Sequence, residues 1–289
     1  MNEKLTVYNN HTRRHLLPRF LLTLLLSTLA VACGFGSGTG EKLAWPDYPG
    51  TPAGHTQFIT IDPSDPTRLA LPDGSPFIIR GIAFGNHVWG NPSSPAGFTH
   101  HGPADFPRVK DMGFNSIRFY INYGIFESDT APYVYKEAGF AWLDKNIAAA
   151  RAAGIRLILN MHYPQGGFQS NGAGDALWSE RPNQLRLIAL WKEIARRYKD
   201  EEYIIGYGLV NEPVPVGGLS QWTSLAQEII NAIREVDPYH LLFVERAIWV
   251  KSGDTQGDRD NHYFPTAVSY THLRAHETVL DLVCRLLLE

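Results

Sequence analysis

Five short apolar runs recur along the chain, each ending in polar or small residues: PFIIRGIAF (Pro76–Phe84), SIRFYI (Ser116–Ile121), IRLILNM (Ile155–Met161), IIGYGLV (Ile204–Val210) and LLFVE (Leu241–Glu245). They are rich in Ile, Val, Leu and aromatics, which predicts parallel strands covered on both faces. Helical periodicity fills the gaps. Leu187, Trp191, Ile194 and Tyr198 share one helix face, and Trp222, Leu225, Ile229 and Ile233 another. Phe140, Leu143 and Ile147 head a third helix, closed by Ala152–Gly154. Strands alternating with helices predict a parallel α/β fold. No GxGxxG follows the first strand, which argues against a dinucleotide-binding sheet.

Polar residues gather at the carboxyl ends of these runs: Asn86 and His87, Arg118, Asn160 and His162, Asn211 and Glu212, then Glu245. That placement favours a (β/α)8 TIM barrel, whose chemistry sits on this face. The strands start near residues 78, 116, 155, 204 and 241, so eight units of this length would run beyond residue 400. The barrel is expected to be incomplete, with about five of its eight βα units present.

The amino-terminal pattern differs. Lys4, Arg13, Arg14 and Arg19 precede a 13-residue apolar stretch, Phe20–Ala32. A membrane span needs about 20 residues, so residues 1–33 read as a secretory signal peptide. Ala30-Val31-Ala32-Cys33 resembles a bacterial lipobox, which would lipidate Cys33 and anchor the protein to a membrane. Thr12–Leu17 loosely resembles a twin-arginine export signal. Residues 34–44 read as a linker and 45–268 as the partial barrel domain. The protein is expected to be secreted, extracellular or held at the cell envelope.

Composition narrows the function classes. The 289 residues are 44% hydrophobic and 19% charged, which excludes a disordered chain. Lys and Arg total 26 against 29 for Asp and Glu, a net charge of −3, so no basic stripe points to nucleic acid. Two cysteines, Cys33 and Cys284, build neither a disulfide framework nor a thiolate metal site. His87 and His162 lie two strands apart without an evident third ligand, and no metal or cofactor is expected. Asp254, Asp258 and Asp260 around Gly257 lack the spacing of a calcium loop and read as a solvated one. His55, His100-His101 and His240 are assigned surface or structural roles. Trp142, Trp191 and Trp222 fall on helices and are assigned to the core.

The sharpest chemical signal is GYGLVNEPVP, where Asn211, Glu212 and Pro213 follow a buried apolar strand. Apolar walls at a barrel mouth let a carboxyl keep its proton towards neutrality and act as an acid. Alone, Asn-Glu-Pro is a weak motif, and a strand-end Glu is often a salt-bridged structural group.

Taken with RGIAFGNHVWG, SIRFYI and LILNMHYPQGG, GLVNEP makes residues 45–268 resemble glycoside hydrolase family 5, the cellulase family of retaining β-glycanases on (β/α)8 barrels. The resemblance implies hydrolysis of a β-linked polysaccharide, with an endo-β-1,4-glucanase as the expected activity and a monomer as the expected state. It implies that Glu212 is the general acid/base, that Asn211 bonds the sugar 2-hydroxyl, that Arg118 steadies the catalytic carboxylates and that His162 lines the cleaved subsite. His87 is grouped with the substrate-binding residues. Trp89, Trp178 and Trp249 follow the first, third and fifth strands, where each ring either stacks on a pyranose or packs ordinarily. Tyr123 and Tyr163 carry the same alternatives.

A retaining mechanism needs a second carboxylate about 5–5.5 Å from the acid. The family places it after strand seven, and no residue of this chain is assigned to it. Glu245 is not expected to be the nucleophile, and His262-Tyr263 reads as loop. Ser269–Glu289 resembles a translated sequencing adapter and is expected to be a non-native tail, leaving the chain as given inactive. Alternatives are a non-catalytic carbohydrate-binding barrel, a β-mannanase or other β-glycanase of the family, and an unrelated metal-dependent barrel hydrolase.

Overall fold

The structure is a computed structural model in which residues 44–46, 58–88 and 101–247 are described. The expected signal sequence, most of the expected linker, Trp89, Trp249, the aspartates around Gly257, both cysteines and residues 269–289 lie outside the described residues.

Two sheets form. A small antiparallel sheet comes first, with β1 (Thr60–Asp62), β2 (Asp65–Ala70) and β3 (Pro76–Phe77) in that order. Asp62 turns the chain between β1 and β2: its Oδ1 accepts from the Ser64 N–H and hydroxyl at 2.8 and 2.6 Å. The second sheet is parallel and follows chain order: β4 (Gly81–Phe84), β5 (Ser116–Asn122), β6 (Arg156–Tyr163), β7 (Ile204–Gly208) and β8 (Leu241–Phe243). These are the five expected strands, and with their connecting helices they trace part of a (β/α)8 barrel.

One boundary differs from expectation. Pro76–Phe84 is two strands, not one, split between the two sheets. Asn115 supplies the reason: its Nδ2 donates to the Ile78 carbonyl at 2.8 Å, and its Oδ1 accepts the Arg80 N–H at 2.9 Å. One side chain thus satisfies two of the backbone groups where the chain changes sheet. Ile78 is exposed there, which its apolar character concealed.

The helices are α1 (Asp105–Asp111), α2 (Tyr123–Phe126), α3 (Glu137–Ala152), α4 (Asp175–Ser179), α5 (Arg181–Tyr198) and α6 (Leu219–Arg234). The three predicted amphipathic helices are α3, α5 and α6. Trp142, Trp191 and Trp222 lie in the core beside the sheet, as expected. Gly154 closes α3 at φ 66°, a conformation that favours glycine. Gly206 lets β8 approach β7, since a Cβ there would sit 2.1 Å from the Leu241 carbonyl oxygen.

The lone histidines are structural where they are described. His101 Nε2 lies 2.6 Å from Asn146 Oδ1. His240, fully buried just before β8, faces Asp237 Oδ2 at 2.6 Å and the Glu201 carbonyl at 2.9 Å. Burial alone would raise the Asp237 carboxyl, but His240 and the Tyr239 and His240 N–H groups outweigh it and hold it below the usual range.

Candidate active site

The carboxyl ends of β5 to β8 converge because the parallel register sets their residues level. Tyr120 pairs with Asn160, Asn160 with Gly208, and Gly208 with Phe243. Side chains alternate along a strand, so Arg118 shares a face with Tyr120, and Asn160 with His162. Gly208 makes room at this level: a Cβ on it would lie 2.8 Å from Asn160 Nδ2.

Beyond β7 the chain is tied down by its neighbours. The Leu209 N–H donates to the Phe243 carbonyl and the Asn211 N–H to the Met161 carbonyl, both at 3.0 Å. Two indoles satisfy carbonyls where the ladders stop. Trp191 on α5 donates to the Leu209 carbonyl at 2.9 Å, and Trp222 on α6 to the Glu245 carbonyl at 2.7 Å. Glu212 then sits at the carboxyl-terminal rim, half-buried, with φ at 46°. A non-glycine residue in this region carries strain, of order 1–3 kcal/mol, and persists only where its surroundings impose it.

Arg118 links the cluster. Its Nη2 donates to Glu245 and, at 2.8 Å, to Asn211 Oδ1; its Nη1 donates to the Tyr120 hydroxyl at 3.1 Å. Burial alone would lower the guanidinium's pKa, but the Glu245 carboxylate and the Tyr120 oxygen more than offset it. Glu245 Oε1 also accepts from Asn160 Nδ2 at 3.1 Å, and its Oε2 accepts the Glu212 N–H at 3.0 Å. Asn211, 2% exposed, donates one amide hydrogen to Ser170 Oγ at 3.0 Å, which leaves the second.

His162 stacks on Tyr120, with ring centroids 3.8 Å apart and planes 11° from parallel. Asn160 turns its amide nitrogen to Glu245, so its Oδ1 faces His162 Nδ1 at 3.1 Å and assigns the ring N–H to that nitrogen. Burial, helped by the positive charge of Arg118, pushes the imidazole down to about 3. His162 is a neutral ring that can align a polar group, not a proton store near neutrality.

The structure thus gathers Arg118, Asn211, Glu212 and His162. Arg118 reaches Glu245 and Asn211, and among the described residues no donor side chain is bonded to the Glu212 carboxyl. His87 lies exposed at the end of β4 with φ 52°. Tyr163 is half-buried and stacks against Phe168 at 5.9 Å.

Two proposed stacking rings are placed otherwise. Trp178 is 3% exposed, edge-on to Trp222, with its N–H held by Gln169 Oε1 at 2.8 Å, so it packs in the core and has no free face for a sugar. Tyr123 is 4% exposed, its hydroxyl bonded to Asp129 and its ring under Arg186, so it too is a packing residue. Tyr120, Ser170 and the linking role of Glu245 were missed from sequence. Tyr120 carried a usable signal, two residues from Arg118 on the same face of a strand; Ser170 lies in a loop that carries none.

Comparison with known proteins bears on the family and the fold. The profile of the family Cellulase (glycosyl hydrolase family 5) matches residues 71–276. A beta-xylosidase of Phanerodontia chrysosporium is 34% identical over 57% of this chain and 36% of its own length. Endoglucanase C of Acetivibrio thermocellus is 27% identical over 60% of this chain and 52% of its own, and an endoglucanase of Paenibacillus polymyxa 32% over 61% and 45%. The chain therefore spans about half, or less, of the lengths of these relatives. Among solved structures, Thermotoga maritima Cel5A in complex with cellobiose superposes with a TM-score of 0.50 at 26% identity, covering 58% of this chain and 52% of that one. Endo-glycoceramidase II from Rhodococcus sp. shares the fold, with a TM-score of 0.52 at 22% identity over 61% and 50%. With more than half its residues matched by the family profile, this chain belongs to glycosyl hydrolase family 5, the cellulase family.

Proposed function

We propose that the chain carries the acid/base side of a retaining β-glycanase, an endo-β-1,4-glucanase acting outside the cytoplasm. The observation that carries this reading is Glu212 on the carboxyl-terminal rim, its peptide fixed by Glu245, while Arg118 pairs with Glu245 and Asn211. The endoglucanases among the relatives support the substrate class.

In the first step, the protonated Glu212 gives its proton to the glycosidic oxygen as the bond from that oxygen to the anomeric carbon breaks. A second carboxylate forms the glycosyl-enzyme. In the second step, ionised Glu212 takes a proton from water, which attacks the anomeric carbon and releases the sugar and the second carboxylate. The second amide hydrogen of Asn211 is placed to hold the sugar 2-hydroxyl, and neutral His162 lines the cleaved unit. No residue of this chain is assigned as nucleophile, and the 289 residues alone are expected to show negligible turnover.

The test is Glu212→Ala in an enzyme that supplies the remaining strands. Turnover of cello-oligosaccharides should fall by about 10²–10⁴. Azide should partly restore cleavage of aryl glycosides with activated leaving groups, giving a β-glycosyl azide. Retained activity, or loss without azide rescue, would remove Glu212 from this role. A second reading, cleavage of β-xylosides, draws on the 34% identity to the fungal beta-xylosidase; assaying xylobiose beside cellopentaose separates the two.

A further inference from the structure

Glu245 is a heavily engaged carboxylate at the rim, and the acid/base mechanism gives it no step. Its Oε1 takes Arg118 and Asn160, its Oε2 takes the Glu212 N–H, and its own carbonyl is held by Trp222. Glu212 meanwhile holds φ 46°, which needs an external restraint. We propose that Glu245 is a positioning residue for the acid/base: it fixes the Glu212 peptide and takes up the charge of Arg118, so that the acid is offered to substrate without a guanidinium on its carboxyl.

The electrostatic half follows from the groups around the pair. Arg118 and Tyr120 face it from β5, neutral His162 and Asn160 from β6, Asn211 and Glu212 from beyond β7, and Glu245 from beyond β8. Among the described residues named here, Arg118 is the one cation. An arginine paired directly with a catalytic acid favours its ionised form and removes the proton it must give. Glu245 supplies the competing anion, so Arg118 orders the cleft without discharging the acid. The inference rests on Glu212 being the acid/base, and its test separates the two claims.

Glu245→Gln keeps the shape and one acceptor oxygen but turns an N–H₂ towards the Glu212 N–H. In the 289-residue chain, hydrogen exchange of the Glu212 amide should quicken about tenfold or more, reflecting one lost charge-assisted bond. The Asn211 amide, bonded to Met161, should keep its rate and serves as the internal control. In the enzyme with its remaining strands, kcat on cellopentaose should fall about 10–100-fold with KM within about twofold. The basic limb of the pH profile should move about one pH unit towards acid. For a dinitrophenyl cellobioside, whose leaving group needs no proton, kcat/KM, which reports the first step alone, should fall less than about threefold.

Unchanged exchange at Glu212, or equal acceleration at Asn211, would overturn the proposal, as would an unmoved pH limb or parallel losses on both substrates. An enzyme without activity whose Glu212 amide alone is released would count against the hydrolase reading and leave the positioning role supported by the exchange result.

Discussion

His162 shows how a single residue reports its surroundings. Its ring is sandwiched near Tyr120 and Phe168, and burial with Arg118 nearby holds it neutral down to about 3, against 6.5 unperturbed. Between those values the unfolded chain binds a proton that the folded chain refuses. Stability is therefore complete above about pH 6.5 and declines as pH falls towards 3. His162→Gln should remove about 1.4 kcal/mol per pH unit from the slope of unfolding free energy between pH 6 and 4, read by urea titration across that range. An unchanged slope would mean that His162 is accessible to protons. At this scale the sequence was legible where a polar residue ends a short apolar run, as with His162, Asn211 and Glu212; Arg118, expected at a strand end, is the third residue of β5 and reaches the rim with its side chain. It was not legible for the aromatic rings. Trp178 and Tyr123 sit at rim positions in sequence, yet the partners that cover them, Trp222 and Arg186, come from distant helices. Spacing along one segment carries no information about what another segment lays over it.

Among the elements, α5 and α6 do more than cover the sheet. Each brings a buried tryptophan whose apolar body fills the core while its N–H meets a carbonyl that no strand partners. The helical spacing of Trp191 and Trp222 announced the packing but not the hydrogen bond, because periodicity encodes direction and not the polar tip. Trp191→Phe keeps an aromatic ring but leaves the Leu209 carbonyl buried and unsatisfied. We expect a loss of about 1–3 kcal/mol in unfolding free energy by denaturant titration. A loss within about 0.5 kcal/mol would show that the bond contributes little. The division of Pro76–Phe84 is the converse case. Its composition is continuous, but Asn115, thirty-odd residues away in sequence, decides where one sheet stops and the next begins.

For the whole molecule, strand order was legible because each barrel strand is short and largely apolar, and β4 to β7 are each followed by a helix. The β1–β3 sheet was not, since its polar, proline-containing segments carry little hydrophobic signal. The export reading belongs to this scale as well, because it concerns where the folded domain is delivered. If Cys33 is lipidated after removal of the leader, the protein should partition with membranes in a bacterial host, and Cys33→Ser should shift it to the soluble extracytoplasmic fraction. Protein found unprocessed in the cytoplasm would refute export; soluble, processed protein from both versions would refute the anchor alone.

The two indole contacts draw a frontier around the top of the sheet. At this level the β7 backbone pairs with β6 and β8, and the Leu209 and Glu245 carbonyls go to the two tryptophans; Asn211 and Glu212 just above are held by Met161 and Glu245. Loops transplanted onto that boundary from a relative with another glycan preference would inherit a ready-made foundation, so substrate range in this scaffold can be rewritten without renegotiating the fold.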